Sequence, residues 1–215
     1  DNHYAILGGM RLVDDHYLIG DGINDQGLVC AELFFPVAAS YGQARPGRLT
    51  LTPQDFIHWT LGSHATVQEV ISDLENINVV KKRCFDGIQY PFHWFLMDST
   101  GSYGIEPLAG KLVVFKNTVG VYTNTPAYQV QIEKLNRYLG NDSESQFTAQ
   151  TKIDLAKMNA QITGRNSSDR FILAAQARWG SKISTVEELK SFLQSVTIPK
   201  NAQHPHNYTH YQAII

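Results

Sequence analysis

"FHWFLMDSTGSYGIEPLAGKLVVFKNTVGVYTN", residues 92–124, is the stretch on which the fold turns. Four runs rich in aromatic and β-branched residues, "FHWFLMD", "SYGIEPL", "KLVVFK" and "TVGVYTN", are separated only by "STG", "AG" and "KN". Connections this short join antiparallel neighbours, so the stretch predicts a β-meander. Before it, "HYAILGGMRLV" reads as a strand followed by a turn at its two glycines. "GDGINDQGLVCAELFF" reads as turns at Asp21-Gly22 and Asp25-Gln-Gly27, then a strand from Leu28 to Phe35 that Pro36 stops. Asp14 and Asp15 are turn formers on the same grounds. Residues 39–50 are polar with Gly and Pro, hence a surface loop.

Helices flank the meander. In "LTPQDFIHWTLG", Thr52 is placed to cap, Pro53 suits the first helical position and Gly62 the end. In "ATVQEVISDLENI", Thr66 and Glu69 form a capping box ahead of Val67, Val70, Ile71 and Leu74 at helical spacing. "AYQVQIEKLNRYLG" is helical and closes on Gly140. Residues 141–169 are polar and give no periodic signal. "RFILAAQARWG" and "STVEELKSFLQSV" are helices, the second with Ser184 and Glu187 as its capping box. The tail "HYQAII" reads as the start of a further strand. Helices and antiparallel strands in separate blocks define an α+β fold.

The 215 residues suffice for one sizeable domain, and 43% hydrophobic content supports a real core. A net charge of −2 gives no electrostatic case for nucleic acid or an anionic membrane. No apolar run reaches membrane-spanning length, and residues 1–30 lack a signal-peptide layout. Cys30 and Cys84 make neither a disulfide framework nor a zinc spacing, and this usage fits a reducing cytoplasm. Cys30, inside "GLVCAELFF", reads as a buried strand position. Cys84 follows "KKR" in a loop with no general base nearby. His204, His206 and His210 read as a solvated loop: Pro205 breaks any regular element and no carboxylate sits at ligand spacing.

Asn124 is the residue on which chemistry could turn. It ends the last apolar run, with Thr125 and Pro126 expected to open the next helix as cap and first residue. Two readings stand: a side-chain amide bonding local backbone, as Asn does at such junctions, or a donor aimed at an oxyanion in acyl transfer.

In combination, "DGINDQGLVCAELFFP", "GIEPLAGKLVVFKNTVGVYTNTPAY" and "SSDRFILAA" resemble the choloylglycine hydrolase family, which includes conjugated bile salt hydrolases and penicillin V acylases. The resemblance runs in order from about Tyr4 to the C-terminus. It implies a four-layer αββα N-terminal-nucleophile hydrolase, two antiparallel sheets between helical layers, and a homotetramer acting on a small-molecule amide without metal or cofactor. An N-terminal cysteine would attack a linear amide through a thioester, its α-amino group taking the thiol proton. Residue by residue, Asn124 matches the asparagine that donates to the oxyanion. Phe34 matches the position whose backbone N–H is the second donor, and Arg170 matches the active-site arginine. Phe92, Met10, Ile19 and Gly20 would line the acyl pocket. His93 and Trp94 belong to the packed core by default.

The chain departs from the family pattern as well. Residue 1 is Asp, so the nucleophilic cysteine is not in this chain, nor are the other active-site arginine and aspartate that follow it. The resemblance starts several dozen residues into the pattern and ends before its last strands, so residues 1–215 are expected to be one amide-hydrolase domain incomplete at both ends. Aromatic Phe34, where bile salt hydrolases carry Asn, leans toward a penicillin V acylase-like preference. A non-catalytic relative retaining the fold is the alternative, and a metal-binding module using the terminal histidines ranks last.

Overall fold

A computed structural model describes residues 3–13, 15–83, 87–141, 144–159, 162–180, 183–202 and 208–214. Cys84, His204 and His206 fall outside the described residues. The contacts divide the chain into two compact units after Asn117.

The first unit runs β1 (Ile6–Val13), β2 (His16–Asn24), β3 (Val29–Phe34), β4 (Leu49–Leu51), α1 (Asp55–Ser63), α2 (Val67–Asp73) and a 3₁₀ turn at Leu74–Asn76. It continues through β5 (Ile77–Val79), β6 (Phe92–Asp98), β7 (Gly101–Leu108) and β8 (Lys111–Lys116). Six strands make one antiparallel sheet in the order β1-β2-β3-β6-β7-β8, and β4 pairs with β5 in parallel. The first three runs of the expected meander are β6, β7 and β8. The Ala109-Gly110 connection has positive φ at both residues, 49° and 76°, as a two-residue hairpin turn requires.

The expected breaks at Gly8-Gly9 and Asp21-Gly22 are not turns. Both pairs lie inside strands, and Gly8 stands directly opposite Gly22. A Cβ on Gly8 would come within 2.1 Å of the Asp21 carbonyl oxygen, so glycine here permits close approach of two strands. The predicted turn at Asp25-Gln-Gly27 is present, with Gly27 at φ 86° and its N–H bonded to Asn24 O.

Directly opposed residues share a face of the sheet. Cys30, Leu96, Trp94 and Ile105 belong to one face, which packs on α1 and α2 through Phe56, Ile57, Leu61, Val67 and Val70. Phe56 lies 4.2 Å from the Trp94 ring. Cys30 and His93 are fully buried, as the sequence suggests. The other face is also apolar, carrying Leu7, Met97 and Val113 at 77%, 41% and 41% exposure.

Asn24 locks the helices to the sheet. Its Nδ2 donates to Leu61 O (2.9 Å) and His64 O (2.7 Å) at the end of α1. Its Oδ1 accepts from Gln26 N (3.1 Å) and Leu28 N (3.0 Å), closing the β2–β3 turn. Thr52 does not cap α1: the helix starts later, and the Thr52 N–H and hydroxyl both bond the Asp55 carboxylate. Gly62 sits within the last turn of α1, not after it. Thr66 does cap α2, accepting from Glu69 N at 3.2 Å. The Glu69 carboxylate reaches back to Ala65 N.

The second unit holds α3 (Tyr128–Tyr138), α4 (Ala149–Lys157), α5 (Ser167–Trp179) and α6 (Val186–Ser195). The fourth run, "TVGVYTN", is not a strand. Its Val119 N–H donates to the Tyr128 hydroxyl (3.2 Å) and its Val119 carbonyl accepts from the Trp179 indole (2.9 Å). Side chains thus take the groups a neighbouring strand would use. Gly120, at φ 69°, passes so close to Arg178 that a Cβ would lie 2.4 Å from its Nε. Helix α4 gave no sequence signal because its capping box is Thr148 with Thr151, lacking the usual acidic partner, and its buried stripe is only Thr151 and Leu155. The α6 box falls one residue later than expected, on Thr185 and Glu188, because the Glu188 carboxylate reaches both the Ser184 and Thr185 N–H groups. Residues 208–214 form no strand; Thr209 instead bonds back to Ile198.

Asn24→Ala removes four hydrogen bonds, three of them buried, and leaves two carbonyls and two N–H groups without this partner. We expect a loss of about 3 kcal/mol, read as a lower urea midpoint at constant slope. An unchanged midpoint would show that the clamp is dispensable.

Candidate active site

The second unit brings two of the three expected catalytic residues to one helix start. The Asn124 carbonyl accepts from the hydroxyl of Ser167, the first residue of α5, at 2.9 Å. It also accepts from the Gln131 amide of α3 at 3.3 Å, and the same amide bonds the Thr123 hydroxyl at 3.3 Å. The segment carrying Asn124 is therefore fixed through its backbone, and Asn124 itself is half-buried.

Arg170 follows Ser167 by three residues, so both project from neighbouring positions on the same side of α5. Asn166 caps this helix, its Oδ1 accepting from Asp169 N at 2.9 Å. A cation in the first turn of a helix opposes the helix dipole. Burial lowers the pKa of the half-buried Arg170, while the adjacent Asp169 raises it. A guanidinium kept in a costly position, three residues along the helix from the serine that holds Asn124, suits stabilisation of negative charge.

Thr125 and Pro126 do not open α3 as cap and first residue. The N-cap is Ala127, extended at ψ 151° with no side-chain cap, and the Thr125–Pro126 peptide is cis. Asn124 thus abuts the start of α5, a different helix from the one expected. Beside it lies a cleft of ≈ 580 Å³ between Thr125 and Pro126, Lys134 and Arg137 of α3, and the first turn of α5. Neither Asn124 nor Arg170 lines that cleft.

The remaining expected residues lie in the first unit. Phe34 ends β3, 48% exposed and opposite Phe92 of β6. Phe92 is stacked on Tyr90 at 5.2 Å, and its N–H donates to the Tyr41 hydroxyl at 2.6 Å. Met10 and Ile19 oppose one another across β1 and β2; Met10 is 46% exposed, whereas Ile19 is buried in the core against α1. Gly20 is the extra residue where the β1–β2 register shifts. Cys30 is unsuited to nucleophilic work, because burial pushes its thiol well above the ordinary range. No group of three or more possible metal ligands is present among the described residues.

Ser167 and Gln131 were not anticipated as partners of Asn124. Ser-x-x-Arg spacing places Ser167 and Arg170 together on a helix, and Gln131 interrupts the buried stripe of Tyr128, Ile132 and Leu135. Both signals are visible in sequence once the helices are drawn.

The family model "Linear amide C-N hydrolases, choloylglycine hydrolase family" matches residues 1–215. The chain belongs to this family. It is 37% identical over 140 residues to a bile salt hydrolase/transferase of Clostridium perfringens, covering 64% of this chain and 43% of that protein. It is 31% identical over 189 residues to a bile salt hydrolase/transferase of Lactiplantibacillus plantarum, covering 84% and 58%. A crystal structure of a variant conjugated bile acid hydrolase from Clostridium perfringens superposes with TM-score 0.75 at 29% identity, covering 93% of this chain and 66% of the other. Penicillin V acylase from Agrobacterium tumefaciens shares the fold with TM-score 0.63 at 23% identity, over 86% and 54%. The chain spans about half the length of the curated relatives it matches.

Ser167→Ala should leave the fold intact, cost about 1 kcal/mol, and loosen the Asn124 segment. Hydrogen exchange at the amides of residues 121–124 reads this directly; protection equal to wild type would show that the Ser167 bond does not hold the segment.

Proposed function

We propose that the full-length protein containing this chain hydrolyses linear amide C–N bonds through a thioester on an N-terminal cysteine that precedes these residues. The cysteine's α-amino group takes the thiol proton, and the thiolate adds to the amide carbonyl. The tetrahedral oxyanion collapses with departure of the protonated amine, and water then hydrolyses the thioester. Asn124 Nδ2 donates to the oxyanion, and Arg170 stabilises the thiolate and the developing charge. The observation that carries this reading is the fastening of the Asn124 carbonyl to the first residue of the Arg170 helix. With its backbone held by Ser167 and Gln131, the asparagine has a defined direction in which to present its amide.

The substrate is a small amide of penicillin V acylase or bile salt hydrolase type, and the aromatic Phe34 inclines the reading toward the former. The Phe34 N–H as second oxyanion donor rests on the family resemblance alone. In the same reading, the exposed apolar face bearing Leu7, Met97 and Val113 takes the second antiparallel sheet of a four-layer αββα sandwich, and the whole protein assembles as a homotetramer.

The full-length protein should cleave penicillin V or glycine- and taurine-conjugated bile salts in parallel assays. Asn124→Ala should lower kcat by roughly 10²–10³ with an unchanged melting curve. Arg170→Ala should also impair turnover. A well-folded wild type inactive on every amide would instead favour a non-catalytic relative, and wild-type kinetics in both variants would remove their assigned roles.

A further inference from the structure

One face of α3 walls the ≈ 580 Å³ cleft beside Asn124 with charge that the chain does not neutralise. Lys134, Arg137 and Tyr138 stand three and four residues apart and project from the same side of the helix. Like charges at this spacing repel one another. Neither cation makes an ion pair within 4 Å among the described residues. Glu133, four residues before Arg137, instead accepts from Gln129 at 3.2 Å. Lys134 Nζ donates to a neutral partner, the Ser168 hydroxyl, at 3.0 Å. Asp169 belongs to the α5 wall and pairs with neither cation. Two cations against one carboxylate leave the cleft with net positive charge.

The rest of the lining sets the shape of what could enter. Pro126, the buried Ile172 and the Tyr138 ring offer apolar surface, and the Ser167 hydroxyl is spent on the Asn124 carbonyl. The volume far exceeds one inorganic ion and falls within the range of small-molecule sites. A carboxylate would meet Arg137 and Lys134, and a compact apolar body would cover Pro126 and Ile172. Such a molecule would also press on both neighbours of Asn124: Ser167 bonds its carbonyl, and Thr125 and Pro126 follow it in the chain.

We propose that this cleft is a binding site for a small organic acid, a monocarboxylate with an apolar body, and that the bound acid braces the Asn124 segment. Arg137 takes the carboxylate through two parallel N–H contacts, and Lys134 supplies the second charge while it stays on Ser168. Neither Asn124 nor Arg170 lines the cleft, so the acid does not occupy the position of the amide. Binding is independent of the amidase reading; only its consequence for turnover rests on that reading.

The test titrates the full-length protein with benzoate and with benzamide, its neutral isostere, by calorimetry. Benzoate should bind about tenfold more tightly. Lys134→Gln and Arg137→Gln should each weaken benzoate by about tenfold and leave benzamide unchanged. Both side chains are exposed, so melting curves should match wild type. Benzoate should also slow hydrogen exchange at residues 121–124 in wild type and not in the double variant. If the double variant does not fold, the benzoate-to-benzamide ratio and the exchange map of wild type decide. No benzoate binding, equal affinity for the two probes, or full affinity in the double variant overturns the site. Binding with unchanged exchange at residues 121–124 overturns the bracing. A protein that fails these tests but cleaves amides keeps the amidase reading, and one that passes them while cleaving no amide loses only that reading.

Discussion

One carbonyl organises the candidate site. The Asn124 oxygen takes a hydroxyl from α5 and an amide from α3, so two helices meet on one residue of the segment between β8 and α3. The same two helices also hold Val119, whose N–H meets the Tyr128 hydroxyl and whose carbonyl meets the Trp179 indole, and Gly120 is in a left-handed conformation against Arg178. An amide that must meet a short-lived charge gains from being fixed beforehand, since reorganisation at the moment of reaction is then avoided. In the proposed function, that is the physical link from a "TNTP" sequence to catalysis.

The sheet unit follows a comparable logic with a different asparagine. Asn24 uses both donors and both acceptor sites of its side chain, joining a turn to the end of α1. The two asparagines look alike in sequence, each next to a turn signal. Their surroundings separate them: the Asn24 amide is consumed by backbone, whereas Asn124 is held by its carbonyl, leaving its side chain free of that duty.

Where short-range chemistry decides the structure, the sequence was readable. The β6–β8 meander, the Gly27 and Gly140 turns, the Thr66 cap and the buried Cys30 follow from spacing and residue type. Where two distant segments decide, it was not. Gly8 and Gly22 look like turn residues until β1 and β2 are paired, and only then is their lack of Cβ a matter of strand approach. "TVGVYTN" has strand composition, but tyrosine and tryptophan side chains from later helices occupy its backbone. In the candidate site, Asn124 and Arg170 were expected from the family motifs, while the Ser167 and Gln131 contacts that fix the segment required the packing of α3 and α5.

The measurement that bears most directly on this account is a crystal structure of the full-length protein with phenoxyacetaldehyde, which forms a hemithioacetal with a nucleophilic cysteine. With Asn124 as oxyanion donor, the hemithioacetal oxygen lies about 3 Å from Asn124 Nδ2. An adduct oxygen directed elsewhere, with the Asn124 amide bonded to backbone, would contradict it.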